Sequence, residues 1–240
     1  MGDIVKKEIT KRCSLFCFIL AICIFICSSS AYCQSQKNFL WRVQNKGNTV
    51  YMLGSIHLLK KDIYPLSTII ENSFDRSDVL VVEANVNEVG QMDLLNLLDK
   101  AMYQGGDSIE KHVSADTYAF VRKETEKVGL PLEVVKMQKP WLLGLTMESL
   151  ELMMAGYDPE YGIDKHFLTK AQGKKKIYEL ESLDYQINLL SGFSDTEQEL
   201  FLLYALKDLD TLTRDVDKLV EAWKLGNTRA VEGFMTKSNN

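Results

Sequence analysis

The sequence predicts an α/β domain: a small mixed sheet with an N-terminal hairpin and many covering helices. Three observations carry this. Short β-branched and aliphatic runs stand early in the chain, at Phe39–Val43, Thr49–Leu53 and Val79–Val82. Helical spacing of apolar residues dominates from Val86 onward. All five cysteines (13, 17, 23, 27 and 33) precede residue 34, so the domain must stand on a hydrophobic core, for which roughly 205 residues are ample.

The first two runs flank Gln44-Asn45-Lys46-Gly47-Asn48, a hairpin signal with glycine and asparagine. Pro65 and Leu66 open a short amphipathic helix to about Phe74. Val79–Val82 is four aliphatic residues in a row, which suits a strand covered on both faces. Between Val86 and Tyr103 the apolar residues Val89, Met92, Leu95, Leu98 and Met102 recur at helical spacing, and Gly105-Gly106 stops them. Ser114 caps a helix running to Gly129. Pro140 starts a helix through Ala155 that is apolar on most sides and therefore central. Asp158-Pro159-Glu160 begins the next, Ile177–Leu180 is a further strand, and Ser194 caps a long helix to about Leu225. Gly226-Asn227 breaks it before a last helical stretch, and no internal repeat or linker interrupts the domain.

Residues 1–33 have a different character. Lys6, Lys7, Lys11 and Arg12 precede an almost unbroken apolar run from Cys13 to Cys27, and Ser28-Ser29-Ser30-Ala31 follows. That order is the pattern of a secretory signal peptide, cut after Ala31 or after Cys33. The run is shorter than the roughly 20 residues of a membrane span. The expectation is an exported protein, periplasmic, surface-bound or released, that meets the membrane transiently through this leader. The remainder, 34–240, is the domain.

The chain carries 28 basic and 33 acidic residues. The leader holds four of the basic ones and two of the acidic ones, Asp3 and Glu8, so the remainder has a charge of about −7. Its basic cluster, Lys174-Lys175-Lys176, sits between Gly173 and an apolar strand and reads as a solvated turn, which disfavours nucleic-acid binding. The absence of cysteine from 34–240 excludes cysteine nucleophiles and cysteine-based zinc sites there. No phosphate-binding loop, dinucleotide fingerprint, Gly-x-Ser-x-Gly elbow or His-Glu-x-x-His helix occurs.

Two strand ends carry chemistry. Val50–Leu53 leads into Gly54-Ser55-Ile56-His57, placing an imidazole at the carboxyl edge where ligands of α/β proteins collect. Gly54 lets a ligand or another backbone approach closely, and a neutral imidazole binds a divalent metal or relays protons. Val79–Val82 ends in Glu83, a carboxylate at the edge of the core that needs a partner, because burying it alone is costly. Its competing role is to accept amides at the following helix start, a role that Asn85 can fill instead. Asp164 and His166 do not share a helix face. Asp164 suits the helix N-terminus and His166 a part-buried position, with a supporting site role as the alternative reading. His112 has no companion in sequence and reads as surface. One histidine and one glutamate fall short of the three protein ligands usual at a metal site.

The sequence resembles the TraB/PrgY/GumN family, of the superfamily that also contains the Tiki proteases, and its GumN branch most. The likeness lies in Tyr51-Met52-Leu53-Gly54-Ser55-Ile56-His57-Leu58-Leu59, Tyr64-Pro65-Leu66, Val81-Val82-Glu83-Ala84-Asn85 and Lys139-Pro140-Trp141. It continues through Gly162-Ile163-Asp164-Lys165-His166-Phe167, Glu179-Leu180-Glu181-Ser182 and the later Gln186, in family order over about residues 39–230. The resemblance implies a single α/β domain that hydrolyses a peptide or protein substrate with a divalent metal ion (Mn, Co or Zn). His57 and Glu83 would be the metal and catalytic positions, with Gly54, Asn85, Asp164 and His166 in support. It also implies a second Gly-x-x-His motif after an Arg-Asn segment, and this sequence has neither. The domain is therefore read as incomplete at its C-terminus. The rival reading is a non-enzymatic peptide- or partner-binding module, or an inactive remnant.

Overall fold

A computed structural model describes residues 38–237; the leader and its two candidate cleavage points lie outside them. The described residues belong to one unit, 37–240. The α/β class holds, with helix predominating. The strands divide between two sheets, where a single mixed sheet was expected.

Strands β1 (Leu40–Gln44) and β2 (Thr49–Leu53) form an antiparallel hairpin with Leu40 opposite Leu53, Trp41 opposite Met52 and Val43 opposite Val50. Its turn is set by Asn45, whose side-chain oxygen accepts from the amides of Gly47 and Asn48 at 3.2 and 3.1 Å. The Asn amide thereby replaces a backbone acceptor, which is why asparagine opens such turns. After the Tyr64–Pro65 cis bond, helix α1 (Thr68–Asp75) begins at its Ser67 cap. Strand β3 (Val79–Val82) follows, then α2 (Gln91–Ala101), α3 (Ala115–Lys127) and the single turn α4 (Leu132–Val135). Helix α5 (Pro140–Met154) and helix α6 (Ile163–Ala171) precede β4 (Lys176–Glu179), which pairs with β3 in parallel, Val82 opposite Glu179. The chain then runs through α7 (Leu183–Ser191), the 30-residue α8 (Asp195–Lys224) and α9 (Thr228–Lys237).

The core is two apolar clusters linked by α8. One joins α3, α5 and α8 through Val121, Leu143, Met147, Leu202, Leu206 and Leu209. The other lies beneath the hairpin and joins Leu59, Ile63, Leu66, Ile70, Ile163, Phe167 and Trp223. Helix α5 is central as expected, although Met153 and Met154 at its end are exposed. It lies against α8 at Gly144, where an added Cβ would stand 3.1 Å from the Phe201 ring and 3.3 Å from the Ala205 Cβ.

Three expectations are corrected here. Strand β3 is covered on one face: Val82 is buried against the α6 side, whereas Val79 and Val81 are exposed, because the sheet has two strands and α6 lies against one side of them. Helix α2 forms, but Met92, Leu95 and Leu98 of its apolar stripe stay exposed, since its neighbour α7 is reached through a Lys100–Asp184 ion pair. Lys175 is not a free turn residue. Its ammonium donates to the Ser77 carbonyl at 2.5 Å and lies over the Phe74 ring, so it ties the entry of β4 to the exit of α1.

Replacing Gly144 by valine forces α5 and α8 apart. The expected cost is about 1–3 kcal/mol, as for overpacking of a filled core, read as a lower midpoint in urea unfolding. An unchanged midpoint would contradict the close approach at this position.

Candidate active site

The site is assembled where the loop after β2 meets the start of α6. Strand β2 ends at Leu53, so His57 stands in a loop four residues beyond the strand and not on it. The strand is also exposed on one face, at Val50 and Met52, and is not the buried strand that was expected. What fixes the loop is the segment 158–164. Leu59 and Asp158 form an antiparallel bridge, and Ile163 N–H donates to the Ile56 carbonyl at 3.0 Å. Gly162 lies directly under His57: a Cβ there would fall 2.2 Å from the His57 carbonyl oxygen. Gly162 is also the N-cap of α6, which leaves Asp164 in the first turn of that helix, a position the helix dipole favours for an acid.

From that turn Asp164 reaches back to the loop. Its Oδ2 accepts from Ser55 Oγ at 2.5 Å and meets His57 Nδ1 at 2.7 Å. A carboxylate at Nδ1 selects the tautomer with the proton on that nitrogen and leaves Nε2 free. Nε2 faces Glu83 Oε2 at 3.8 Å. Glu83, the first residue after β3, has its other oxygen held by Gln186 Nε2 of α7 at 2.7 Å. The imidazole and the Glu83 carboxylate are 63 and 53% exposed, whereas the Asp164 carboxylate is 18% exposed, so an accessible pair rests on a shielded support.

The electrostatics follow from that arrangement. The His57 pKa is raised above 6.5, first by its hydrogen bond to Asp164, against a smaller opposing effect of burial, with the negative charges of Asp164 and Glu83 adding to it. Burial pushes the Asp164 carboxyl up, but the hydrogen bonds from His57 and Ser55 and the charge of His57 together outweigh it and hold its pKa below 3.8.

The sequence-predicted residues separate into two groups. His57, Glu83 and Asp164 come together. Asn85 is close in sequence to Glu83 and caps the 3₁₀ turn Val86–Glu88, accepting from Asn87 N–H at 3.3 Å, which relieves Glu83 of that duty. Gly54 is corrected: the group packed against its Cα is the Phe39 ring, which a Cβ would meet at 2.2 Å. Its backbone is held by Phe39 and by the Trp223 indole, which donates to the Gly54 carbonyl at 2.7 Å. His166 is corrected as well. It pairs with Glu71 of α1 at 2.9 Å under the Tyr64 ring, so it fastens α6 to α1 and does not face the His57–Glu83 pair. His112, read as surface, is held between Asp107 at 2.8 Å and Asp195 at 3.4 Å and stacks on Tyr103.

Sequence reasoning missed Ser55 and Gln186 as site residues. Ser55 belongs to the Gly54–His57 motif, but no spacing rule pairs it with a residue 109 positions away. Gln186 sits on α7, a helix that the apolar pattern did not pick out.

The donor set suits half of a divalent-metal site. Nε2 of His57 and Oε2 of Glu83, 3.8 Å apart, would both reach one ion at bond lengths of roughly 2.0–2.2 Å. Among the described residues no group of three His, Cys, Asp or Glu side chains is placed to hold a metal, so His57 and Glu83 are a pair of candidate donors there.

The profile of the TraB/PrgY/gumN family matches residues 39–240, a stretch that contains every side chain of this site. The chain belongs to the TraB/PrgY/gumN family. Among relatives of this TraB/PrgY/gumN protein is YbaP of Escherichia coli (strain K12), 26% identical over 146 residues that cover 60% of this chain and 53% of YbaP. YbaP of Shigella flexneri matches to the same extent. An uncharacterized protein of Treponema pallidum (strain Nichols) is 22% identical over 224 residues, 85% of this chain and 66% of that protein. The matches thus span from about half to just under two thirds of these relatives' lengths. No solved structure matches the chain.

The imidazole of His57 should titrate with a midpoint above 6.5 in metal-free protein, followed by NMR of its ring protons. Asp164→Asn should bring it back toward 6.5. A raised His57 pKa stabilises the fold fully below 6.5 and loses that effect as pH climbs through the raised value. The lowered Asp164 pKa contributes above 3.8 and is lost as pH falls, so the pair is at full strength between 3.8 and 6.5. A wild-type midpoint at or below 6.5 would remove the Asp164 contact from the account.

Proposed function

We propose that this protein is an exported metal-dependent peptide hydrolase in which His57 and Glu83 hold a divalent ion. The observation that carries the reading is the Asp164–His57 pair, with Nε2 left free and facing Glu83 across 3.8 Å. A carboxylate behind an imidazole is the usual support of a histidine metal ligand, because it fixes the ring and raises its basicity. Manganese, cobalt and zinc all accept such a mixed nitrogen and oxygen pair.

Each residue then has a part. His57 binds through Nε2. Asp164 and Ser55 keep the imidazole oriented. Gln186 fixes Oε1 of Glu83, so that Oε2 is the oxygen available as ligand or as the base that takes a proton. The bound ion would supply Lewis acidity toward a peptide carbonyl and acidify water. A peptide substrate is supported by the exposed face of the parallel sheet. Side chains alternate along a strand, so Val79 and Val81 project on the same side as Glu83. With Tyr178 of β4 they form an exposed apolar track ending at the carboxylate. The leader pattern of residues 1–33 supports export.

A second reading, a module that binds a peptide without cleaving it, is favoured by the donor count among the described residues: His57 and Glu83, where three protein ligands are usual. One experiment separates them. Cleavage of an apolar peptide library is followed with Mn²⁺, Co²⁺ or Zn²⁺ added, alongside calorimetric titration of the ion. Hydrolysis should require the ion, disappear in His57→Ala, and fall about 10- to 100-fold in Asp164→Asn, the range for loss of a ligand's support. Glu83→Gln should weaken both ion binding and turnover. Full activity in His57→Ala, or after complete metal removal, would sink the hydrolase. Saturable peptide binding without cleavage would establish the module.

A further inference from the structure

We propose that the connection between α2 and α3 is a pH-operated clasp, closed onto the start of α8 while His112 is an imidazolium and opened when that ring loses a proton. The His112 ring has a carboxylate at each nitrogen: Asp107 Oδ2 stands 2.8 Å from Nε2, and Asp195 Oδ2 3.4 Å from Nδ1. A carboxylate only accepts hydrogen bonds and a neutral imidazole has one N–H to give, so both contacts together need the doubly protonated ring. The ring also lies flat on Tyr103, with centroids 4.2 Å apart and planes 14° from parallel, where the aromatic face favours a cation. These partners come from separate parts of the chain. Tyr103 leaves α2, Asp107 follows the Gly105-Gly106 turn, and Asp195 is the first residue of α8. The clasp is independent of the reading given to His57 and Glu83.

The surroundings decide which contact gives way. Lys111 also reaches Asp107, at 3.4 Å, whereas Glu110 is exposed and Lys136 is taken by Glu133. On α8, Glu197 is bound in the Ser194 cap, and Glu199 accepts from Ser114 and Thr117. Asp107 and Asp195 are therefore the acids at the ring among the described residues. When the ring loses a proton, the remaining one stays on Nε2 with the nearer Asp107, and Nδ1 turns a lone pair toward Asp195. Two acceptors then face each other, and Asp195, 71% exposed, is readily hydrated instead. The contact within the connection survives and the contact to α8 is lost. Both ends of the connection stay tied: Tyr103 N–H donates to the Met137 carbonyl at 2.7 Å, and Ser114 N–H to Glu199 at 2.9 Å. Between them, Ile109 is fully buried and Val113 packs on the cluster that joins α3, α5 and α8. Opening therefore loosens the cover over one edge of that cluster.

The electrostatics agree with the geometry. The His112 pKa is raised above 6.5, first by the hydrogen bond to Asp107 and then, against burial, by Asp195. His112 in turn holds the Asp107 carboxyl below 3.8. Burial and the two acids push the Tyr103 phenol up, so it stays neutral throughout. The stabilisation from His112 is complete below 6.5 and is lost as pH climbs through the raised value. That from Asp107 is present above 3.8 and is lost as pH falls. The clasp is fully closed between those limits and opens on the alkaline side.

The test follows amide hydrogen exchange in the full chain, corrected for the intrinsic effect of pH, at about pH 5.5 and about pH 8.5. Amides of residues 107–113 should exchange about two- to fivefold faster at the higher pH, the scale of an ion pair partly open to solvent. The midpoint of that change should coincide with the titration of the His112 ring protons in NMR. Their signals are identified among the three histidines by their loss in His112→Gln, which should also abolish the pH effect on exchange. Asp195→Asn should lower the His112 midpoint and shrink the change. Asp195 is exposed and the Ser194 cap stays in place beside it, so this variant serves even where His112→Gln fails to fold. Protection that stays constant while His112 titrates would overturn the clasp, as would loosening with pH that persists in His112→Gln. Wild-type midpoint and exchange in Asp195→Asn would tie His112 to Asp107 alone and overturn it too.

Discussion

The contact between the loop 54–59 and the segment 158–164 is the constraint on which the rest of the structure depends. It is a backbone contact first: a bridge at Leu59 and Asp158, a hydrogen bond from Ile163 to Ile56, and the His57 carbonyl pressed onto the Cα of Gly162. No residue with a Cβ fits at Gly162 without moving that carbonyl. The side-chain chemistry is built on top. Because α6 starts directly after its Gly162 cap, its second residue, Asp164, points its carboxylate at Ser55 and His57. Were the helix to begin one residue later, the carboxylate would rotate by about 100° and lose both partners.

The site is supported from below by the apolar cluster that Trp223 joins. Trp223 lies at the end of α8, and its indole N–H bonds to the Gly54 carbonyl. The same helix packs on α5 at Gly144 far from that end, so one 30-residue element ties the interior to the site loop. At about 1.5 Å per residue it spans roughly 45 Å. The opposite side of α6 is fastened by His166 and Lys170 to Glu71 of α1. The helix that supplies Asp164 is thus held on both sides, a condition for a carboxylate meant to orient another side chain.

Local signals in the sequence matched local structure closely. Ser114 and Ser194 cap helices at the positions that their hydroxyls predict, Pro140 stands at the first turn of α5, and Asn45 closes the hairpin. These features depend on a residue and its neighbours within about four positions, which a single sequence contains. Coverage failed as an inference, because it depends on what packs from elsewhere. The aliphatic run Val79–Val82 and the stripe Met92–Leu98 have the composition of buried elements, yet each is exposed on one side among the described residues. Helix α7 escaped notice because its apolar pattern is short and interrupted by Asp184, Gln186 and Asn188.

By itself, the sequence determined the α/β class, most element boundaries, and the residues capable of chemistry: His57 and Glu83 after two apolar runs, and Asp164 and His166 near a helix start. Family likeness joined them into a single expectation, of which the match over residues 39–240 shows the family membership. Which of these side chains meet was decided only in three dimensions. Asp164 and His166 are two apart on one helix, so they face directions about 200° apart. One turns to His57 and the other to Glu71. Ser55 and Gln186 joined the site, and Gly54 proved to serve the Phe39 ring. The physical reason is that hydrogen bonds between residues about a hundred positions apart follow from how elements pack, and no local pattern encodes that packing.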